Sequence, residues 1–321
     1  MNQKTAAWIG GTAAALAGAA LFVQGRKAKA ERDHPPLGRF IEVDGVRLHY
    51  VEEGSGPPLV LLHGLGSMVE DFVLSGLIRE AAGRYRVIAF DRPGYGHSER
   101  PHRWHYSAAA QARLFRNAML ALGAHRPIVL GHSWGALVAA ELALQFPGVP
   151  RSLVLASGLY FPTFRFDTAL LAPPAIPLLG DLMSATISPI LGRVTWRAAL
   201  KTVFSPAPIP KHFSRFPAWM ALRPGQLRAN AEDALFTVSA TLRILRRTRE
   251  LNLPVVLVAG AGDRFVSMRA HSERLNKMLP SSRLLVSPHA GHMVHHTDPE
   301  LMLAAIDAAA WPTMQLAQPS A

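Results

Sequence analysis

Short runs of consecutive apolar residues recur along the chain, and each run has the length of one buried strand. The runs are Pro58–Leu62, Arg86–Phe90, Pro127–Leu130, Ser152–Leu155, Pro254–Val258 and Arg283–Val286. A strand that is buried on both faces is apolar throughout instead of alternating. Segments with the apolar spacing of helices separate the runs, at about 69–82, 107–122, 135–146, 267–278 and 299–310. This alternation predicts an α/β fold with a mostly parallel, doubly wound sheet that helices cover on both faces.

The residues before the first run favour a β-hairpin. In Phe40–Val43 and Arg47–Glu52, apolar and polar side chains alternate, as they do in a strand with one face in water. Asp44-Gly45 lies between these segments and is a preferred sequence for a two-residue hairpin turn. The preceding residues 31–39 include two prolines and a glycine and indicate a linker.

The alternation of strands and helices stops between residues 159 and 249. This segment holds ten prolines among short helical stretches such as 195–204 and 231–247. Because it lies between two predicted strands and is rich in Leu, Phe and Trp, we predict a helical cap packed on the core, in preference to an irregular linker. The predicted division is an N-terminal anchor or signal segment at 1–30, the first part of a core domain at 31–158, a helical cap at 159–249 and the second part of the core at 250–321.

Thr5–Gly25 is a run of 21 uncharged, mostly apolar residues. As a helix rising about 1.5 Å per residue, it is long enough to cross a hydrocarbon layer of about 30 Å. Ala28-Lys29-Ala30 has the small-x-small pattern of a signal cleavage site, but the apolar run is long and the region before that site is basic. We therefore predict an uncleaved membrane anchor at 5–25. The larger basic cluster follows it, which slightly favours a cytoplasmic C-terminal domain. A cleaved signal, and hence a secreted or periplasmic protein, is the alternative.

The chain carries 34 Lys and Arg against 22 Asp and Glu, a net charge of +12. The whole excess lies in two segments, with +4 in residues 1–39 and +8 in residues 159–249. Because the remainder is neutral and no groove-reading motif accompanies the basic residues, we predict no nucleic-acid partner. Two interpretations of the basic cap stay open. In the first, the cations of the cap are solvated by water. In the second, the cap rests on an anionic bilayer and a lipophilic molecule enters it from the membrane side.

Gly131-His132-Ser133-Trp134-Gly135 connects a predicted strand to a predicted helix. This is the G-x-S-x-G pattern in the strand–turn–helix context that forms a nucleophile elbow. Gly131 and Gly135 avoid clashes with the neighbouring strand and helix, and the sharp turn exposes the serine hydroxyl at the edge of the sheet. We therefore predict Ser133 as the nucleophile. The chain has no cysteine, so a thiol nucleophile is excluded.

A serine nucleophile needs a base that takes its proton, and the base needs an orienting carboxylate. His292 follows a late predicted strand on a glycine-containing loop and is the predicted base. Asp263 directly follows the strand at 254–258, at the same edge of the sheet, and is the predicted carboxylate. The chain order Ser133, Asp263, His292 is the order expected for this layout.

Three further histidines lie near the predicted base. We interpret His289 as a loop residue that forms hydrogen bonds, and His295 and His296 as residues at the start of a helix. A metal site built from this cluster is the weaker alternative, so we predict no metal.

His63-Gly64-Leu65-Gly66 follows the strand at 58–62 and can aim backbone amides into the same cleft. The predicted oxyanion donors are the amides of Leu65 and Trp134, the latter being the residue after the nucleophile. Gly64 and Gly66 support the loop, and His63 is interpreted as structural.

Together these motifs resemble the α/β-hydrolase fold superfamily from about residue 40 to 310. Asp91–Ser98 adds the turn D-x-P-G-x-G-x-S that is typical of this family. The resemblance implies a Ser–His–Asp triad, acyl-enzyme chemistry, a cap over the site, and no metal or organic cofactor. Dehalogenases and epoxide hydrolases of this fold have an aspartate in place of Ser133, so they are not favoured.

The predicted function is hydrolysis of a carboxylic ester, with a small-molecule acyl substrate that is lipophilic. Two alternatives use the same triad, a C–C bond hydrolase and a cofactor-free perhydrolase. A third, from a different class, is a catalytically idle scaffold tethered to the membrane. The complete set of catalytic side chains favours an enzyme over a scaffold.

Overall fold

The computed structural model describes residues 2–101, 106–163, 173–176 and 178–311. Its strands are β1 Arg39–Val43, β2 Val46–Glu53, β3 Pro58–Leu62, β4 Arg86–Phe90, β5 Ile128–His132, β6 Ser152–Ala156, β7 Val255–Gly260 and β8 Ser282–Ser287. They form one eight-stranded sheet in the order β1-β2-β4-β3-β5-β6-β7-β8. β2 pairs antiparallel with β1 and β4, and the strands from β4 to β8 pair parallel. The predicted mostly parallel sheet and the hairpin at Asp44-Gly45 are therefore confirmed.

The helices include one break that the sequence analysis did not predict. They are α1 Gln3–Asp33, α2 Val69–Ser75, α3 Leu77–Ala82, α4 Ala108–Ala121, α5 Trp134–Gln145, α6 Leu179–Ala185, α7 Ile187–Phe204, α8 Ala218–Ala221, α9 Pro224–Arg247, α10 Arg274–Met278, α11 Val294–Thr297 and α12 Pro299–Ala310. The helix predicted at 69–82 is divided at Gly76, which has a φ of 81°. A left-handed residue cannot continue a right-handed helix, so it ends α2 before α3 begins.

The central strands are buried on both faces, which explains why they are apolar throughout. In β3, Val60 and Leu62 belong to an apolar cluster with α4 and α5. Leu59 and Leu61 belong to a second cluster with α3 and α12 on the opposite face. Successive side chains of a strand point to opposite faces, so each run supplies both clusters at once.

Helices α6 to α9 lie between β6 and β7, in the segment predicted as a cap. Residues 164–172 and 177 of that segment lie outside the described residues, and the division into domains stays a prediction. A third apolar cluster joins this segment to α1, to the start of α2 and to the loop before α11. Its buried members are Ala30, Met68, Phe204, Phe213, Phe216, Met220, Ala221 and Met293. Apolar packing therefore attaches the cap segment to the edge of the core.

Helix α1 is long and apolar enough to cross a membrane, judged by length and composition. In its most apolar 18-residue window only 6% of the residues are buried. Its final turns, in contrast, contact the cap segment. Phe22 meets Trp219 edge-on with 6.0 Å between ring centroids, and the guanidinium of Arg26 lies 4.7 Å from the centre of the same ring. Glu31 pairs with Arg223 at 3.0 Å.

The first residues of the predicted linker are helical, because α1 continues to Asp33. Lys29 and Asp33 form an i,i+4 ion pair of 2.9 Å in the last turn. Pro35 and Pro36 then prevent further helix, so the linker is shorter than predicted.

Arg92 and Asp233 form a fully buried ion pair, with 2.6 Å between Nη1 and Oδ2. Arg92 follows β4, whereas Asp233 lies on α9 in the cap segment. The same guanidinium donates hydrogen bonds to the carbonyls of His63 and Gly64, at 2.8 and 3.1 Å. Arg100 also binds Asp233, at 3.0 Å. The pair therefore fixes α9 relative to the loop that follows β3.

We expect Asp233→Ala to be strongly destabilising, because it leaves the buried guanidinium of Arg92 without a counter-charge. Removal of one partner from a buried pair costs about 3–5 kcal/mol. Urea denaturation measures the free energy of unfolding of the variant and of wild type. Glu250→Ala is the matched control, since it breaks an exposed pair with Arg247 and is expected to have little effect. Equal losses in the two variants would contradict this interpretation.

Glu70 gives the stability a defined pH dependence. It is buried in α2, and burial raises the pKa of its carboxyl to about 8 from a usual 4.5. Between these values Glu70 keeps its proton in the folded protein and loses it in the unfolded chain, so the contribution of Glu70 to stability falls as the pH rises from about 4.5 to about 8. Glu70→Gln removes this dependence, and we expect it to stabilise the protein at pH 8 but not at pH 4. Urea midpoints at both pH values test this, and an equal gain at both would disprove it.

Candidate active site

Ser133 lies at the sharp turn between β5 and α5, with φ 54° and ψ −118°. A positive φ is unusual for a residue with a side chain and is the strained conformation expected of a nucleophile elbow. A Cβ on Gly131 would collide with the backbone of Ala136, and a Cβ on Gly135 would collide with the carbonyl of Leu62. Both positions therefore need glycine because neighbouring backbone approaches them closely. The sequence analysis predicted these glycines for the same reason.

The structure brings Ser133, His292 and Asp263 together at the carboxyl edge of the sheet. Nε2 of His292 lies 2.9 Å from Oγ of Ser133, and Nδ1 lies 2.8 Å from Oδ2 of Asp263. The other oxygen of Asp263 accepts hydrogen bonds from the amides of Phe265 and Val266, both at 2.8 Å. These amides hold the carboxylate toward the imidazole. Such an arrangement can move the serine proton to the imidazole while the carboxylate stabilises the resulting cation.

His132 has a role that the sequence analysis missed. Its Nε2 lies 3.0 Å from the carbonyl oxygen of His292, while its buried Nδ1 has no hydrogen-bond partner in the described part of the chain. Burial, together with the neighbouring His295 and His292, holds the pKa of His132 well below its usual range. The ring is therefore neutral and donates from Nε2. Because the amide of His292 also donates to the carbonyl of Val203 at 2.9 Å, both backbone groups of the predicted base are held.

The predicted oxyanion loop lies directly against the nucleophile. A Cβ on Gly64 would come within 2.9 Å of the Cβ of Ser133, so glycine is needed for this approach. Within the described residues, the amides of Leu65 and Trp134 have no acceptor in the protein. Two such amides beside a serine hydroxyl suit the developing negative charge of an oxyanion.

His63 and Gly66 fix the two ends of this loop. Nε2 of His63 accepts a hydrogen bond from the amide of Arg92 at 2.9 Å, and Nδ1 donates to the carbonyl of Gly64 at 2.8 Å. Burial and then the cation of Arg92 lower the pKa of His63 to about 4, so its ring is neutral. Gly66 has a φ of 67° and donates its amide to Oδ1 of Asn230 at 2.8 Å. The loop is thus bonded to both the core and the cap segment.

A second polar cluster, around Asp71, borders the same site. Asp71 accepts a hydrogen bond from Ser67 Oγ at 2.8 Å, and Nε2 atoms of His295 and His296 lie 3.1 and 2.7 Å from its two oxygens. Burial acts to raise the pKa of Asp71, but the paired histidines hold it well below its usual range. Ligand atoms of Asp71, His132 and His295 lie within 4.8 Å of one another and are therefore the candidate metal ligands. Asp71 is bonded to His295, whereas Nδ1 of His132 and Nδ1 of His295 are buried without a hydrogen-bond partner among the described residues.

The three other histidines near the predicted base differ in burial and in hydrogen bonding. His295 and His296 lie on the short helix α11, as predicted, but they are buried and bonded to Asp71. His289 is exposed. The partners in the Asp71 cluster are 224 and 225 residues apart in the sequence, so no local spacing could have revealed the cluster.

An apolar cavity of about 170 Å³ opens beside Ser133 and His292. The cap segment supplies most of its apolar wall through Trp196, Ala199, Leu200, Val203, Phe213 and Phe216, and Phe265 and Met293 complete it. A lining of this composition suits an apolar group next to the nucleophile.

Known proteins with similar sequences or similar folds cover most of this chain. The chain is 28% identical over 268 residues to 2-hydroxy-6-oxo-2,4-heptadienoate hydrolase of Pseudomonas putida, covering 80% of this chain and 90% of that protein. A bacterial membrane phospholipase A superposes with a TM-score of 0.64 and 22% identity, over 96% of this chain and 98% of that one. An esterase of Thermogutta terrifontis superposes with a TM-score of 0.68 and 19% identity, over 84% and 97%. These two structural likenesses concern the fold alone.

The sequence model described as alpha/beta hydrolase fold matches residues 57–299. This match extends from the start of β3 to the start of α12, so it includes the elbow, both predicted partners of Ser133 and the cap segment. Proteins that match the chain include the Pseudomonas putida hydrolase, a haloalkane dehalogenase of Mycobacterium tuberculosis and an esterase of Rhodococcus. The chain belongs to the α/β-hydrolase fold family.

Proposed function

We propose that this protein is a serine hydrolase that cleaves carboxylic esters through an acyl-enzyme. The proposal rests above all on the continuous hydrogen-bonded path from Ser133 Oγ through His292 to Asp263, with distances of 2.9 and 2.8 Å. A serine hydroxyl is a weak nucleophile until such a base removes its proton.

In the first half of the reaction, His292 takes the proton of Ser133 as the hydroxyl oxygen attacks the ester carbonyl. The amides of Leu65 and Trp134 stabilise the oxyanion of the tetrahedral intermediate. His292 then gives its proton to the departing alkoxide, the ester C–O bond breaks, and the acyl group stays on the serine. In the second half, His292 deprotonates a water molecule, which attacks the acyl-enzyme and releases the carboxylic acid.

The ester is proposed to be lipophilic. The cavity beside the nucleophile is walled by aromatic and aliphatic side chains and presents few charged groups apart from the catalytic residues and Asp71. The structural likenesses to a phospholipase A and to an esterase support ester chemistry on this fold.

A C–C bond hydrolase is the second candidate, because the Pseudomonas putida relative carries that activity in its name and matches most of this chain. The same base and nucleophile serve both reactions, so the triad by itself does not separate them. Parallel assays on 4-nitrophenyl esters and on a 2-hydroxy-6-oxo-dienoate separate the two reactions. Faster turnover of the dienoate would replace the ester proposal.

We further propose that α1 is an uncleaved membrane anchor. Cleavage after Ala30 would remove Phe22 and Arg26, which pack on Trp219, and would remove the buried Ala30 from the cluster of the cap segment. A helix that is only an export signal has no need of such contacts with the folded domain.

Ser133→Ala is expected to lower kcat on 4-nitrophenyl butyrate by at least about 1,000-fold, because no nucleophile remains in the elbow. A fluorophosphonate probe should label wild type but not the variant. Ser239→Ala, at an exposed serine of α9, is the matched control and should keep both activity and labelling. Turnover by Ser133→Ala at the rate of the control would refute the proposed nucleophile.

The anchor proposal predicts that the full chain stays with the membrane fraction after washing with alkaline carbonate. Intact-mass analysis of the membrane-extracted protein should then give a chain that still contains residues 1–30. A soluble product with the mass of a chain that begins near Glu31 would instead identify a cleaved signal.

A further inference from the structure

A groove on the cap segment is unusually rich in cations. Its volume is about 840 Å³, and α1, α7 and the turn at 211–215 line it. Its basic residues are Arg26, Lys29, Arg193, Arg197, Lys211 and Arg215, and its acidic residue is Asp33. We call this surface the basic groove. It accounts for much of the positive charge that distinguishes the N-terminal and cap segments from the neutral core.

Most cations of the basic groove lack a counter-charge. Asp33 is paired with Lys29. Arg193, Arg197, Lys211 and Arg215 are exposed, and none has an ion pair within the described part of the chain. Arg193 and Arg197 are also one turn apart on α7, where like charges repel each other. Such repulsion is relieved when an anion binds between the two guanidinium groups.

Other arginines of the cap segment are arranged differently. Arg223, Arg228 and Arg243 each bind a carboxylate, at 3.0, 2.6 and 2.9 Å. Unpaired cations are therefore concentrated in the basic groove, although Lys201, Arg246 and Arg249 of the segment also have no ion pair within the described residues.

The basic groove shares a wall with the cavity at the nucleophile. Trp196, Leu200, Phe213 and Phe216 line both spaces, and the rings of Trp196 and Phe216 stack with 5.9 Å between centroids. A molecule with an apolar chain beside Ser133 can thus keep a charged end among the cations. The two spaces together suit an amphiphile with an anionic head.

The position of the groove indicates where such an amphiphile comes from. Arg26 and Lys29 belong to the final turns of α1, directly after the apolar run at 5–25. Basic residues that end a membrane helix lie at the level of the lipid head groups. With α1 in a bilayer, the basic groove faces the phosphates of the lipids.

We propose that the basic groove binds the phosphate of an anionic membrane phospholipid whose acyl ester is hydrolysed at Ser133. This inference rests on the proposed ester hydrolysis and on the anchor. Water supplies hydroxyl to the acyl carbon and a proton to the glycerol oxygen, so the products are a fatty acid and a lysophospholipid. The phosphodiester stays intact and serves only as the anionic handle.

Binding is tested separately from catalysis, with full-length Ser133→Ala in detergent. Calorimetric titration uses dihexanoyl phosphatidylglycerol and dihexanoyl phosphatidylcholine below their micellar concentrations. We expect tighter binding of phosphatidylglycerol, and a loss of about 25-fold when Arg193→Gln and Arg197→Gln are added, since each cation near a lipid phosphate contributes about fivefold. Arg246→Gln with Arg249→Gln removes the same charge from exposed positions outside the groove and should leave binding unchanged.

Hydrolysis of the same two lipids by the chain with intact Ser133 completes the test. The variant with Arg193→Gln and Arg197→Gln should raise KM for phosphatidylglycerol with little change in kcat, and circular dichroism verifies its fold. Equal binding of both lipids, or equal losses in the groove variant and the control variant, would overturn the head-group site while leaving ester hydrolysis intact. Loss of the Ser133 requirement on 4-nitrophenyl butyrate would overturn the proposed function itself.

Discussion

Arg92 and Asp233 form an ion pair that is removed from water and connects two parts of the chain that are 141 residues apart. The guanidinium binds the carbonyls of the loop at His63 and Gly64, while the carboxylate belongs to α9 of the cap segment. A buried charge is tolerated only when it is paired and hydrogen-bonded, so neither part can move away without exposing an unpaired charge. The predicted oxyanion loop and the cap segment are therefore held in one arrangement, and the cavity at Ser133 depends on both of them.

Burial also decides what the histidines around the site can do. It lowers the pKa of His63 and of His132, and each neutral ring then acts as a hydrogen-bonding group that positions a neighbouring backbone. Asp71 is equally buried but faces two histidines, which favour its anionic form. His292 differs from these residues because its two ring nitrogens contact Ser133 and Asp263, the predicted nucleophile and carboxylate. Histidine therefore has a structural role at three sites, namely His63, His132 and the pair that binds Asp71. At His292 it is the candidate base.

In the folded protein, part of the positive charge of the chain is concentrated on one surface. Several unpaired cations lie where the end of α1 meets α7 and the turn at 211–215, in a groove that shares apolar side chains with the cavity at Ser133. The proposed anchor, the basic groove and the apolar cavity are then neighbours in the order in which a membrane lipid would meet them. This arrangement is the physical basis for the proposed head-group site.

The sequence alone determined the sheet, the hairpin, the elbow and the three residues that meet there, because each depends on a local pattern of apolar spacing, turn glycines or strand ends. The sequence alone did not determine which buried polar residues hold the site in place. Arg92 lies in a motif that was noticed for its turn, and Asp233 lies on an ordinary helix, so nothing local indicated that they pair. His132, Asp71 and the basic groove were missed for the same reason, since long-range packing alone brings together side chains from distant segments and removes them from water. Tertiary structure therefore decided which polar residues are buried, and with that their protonation and their partners.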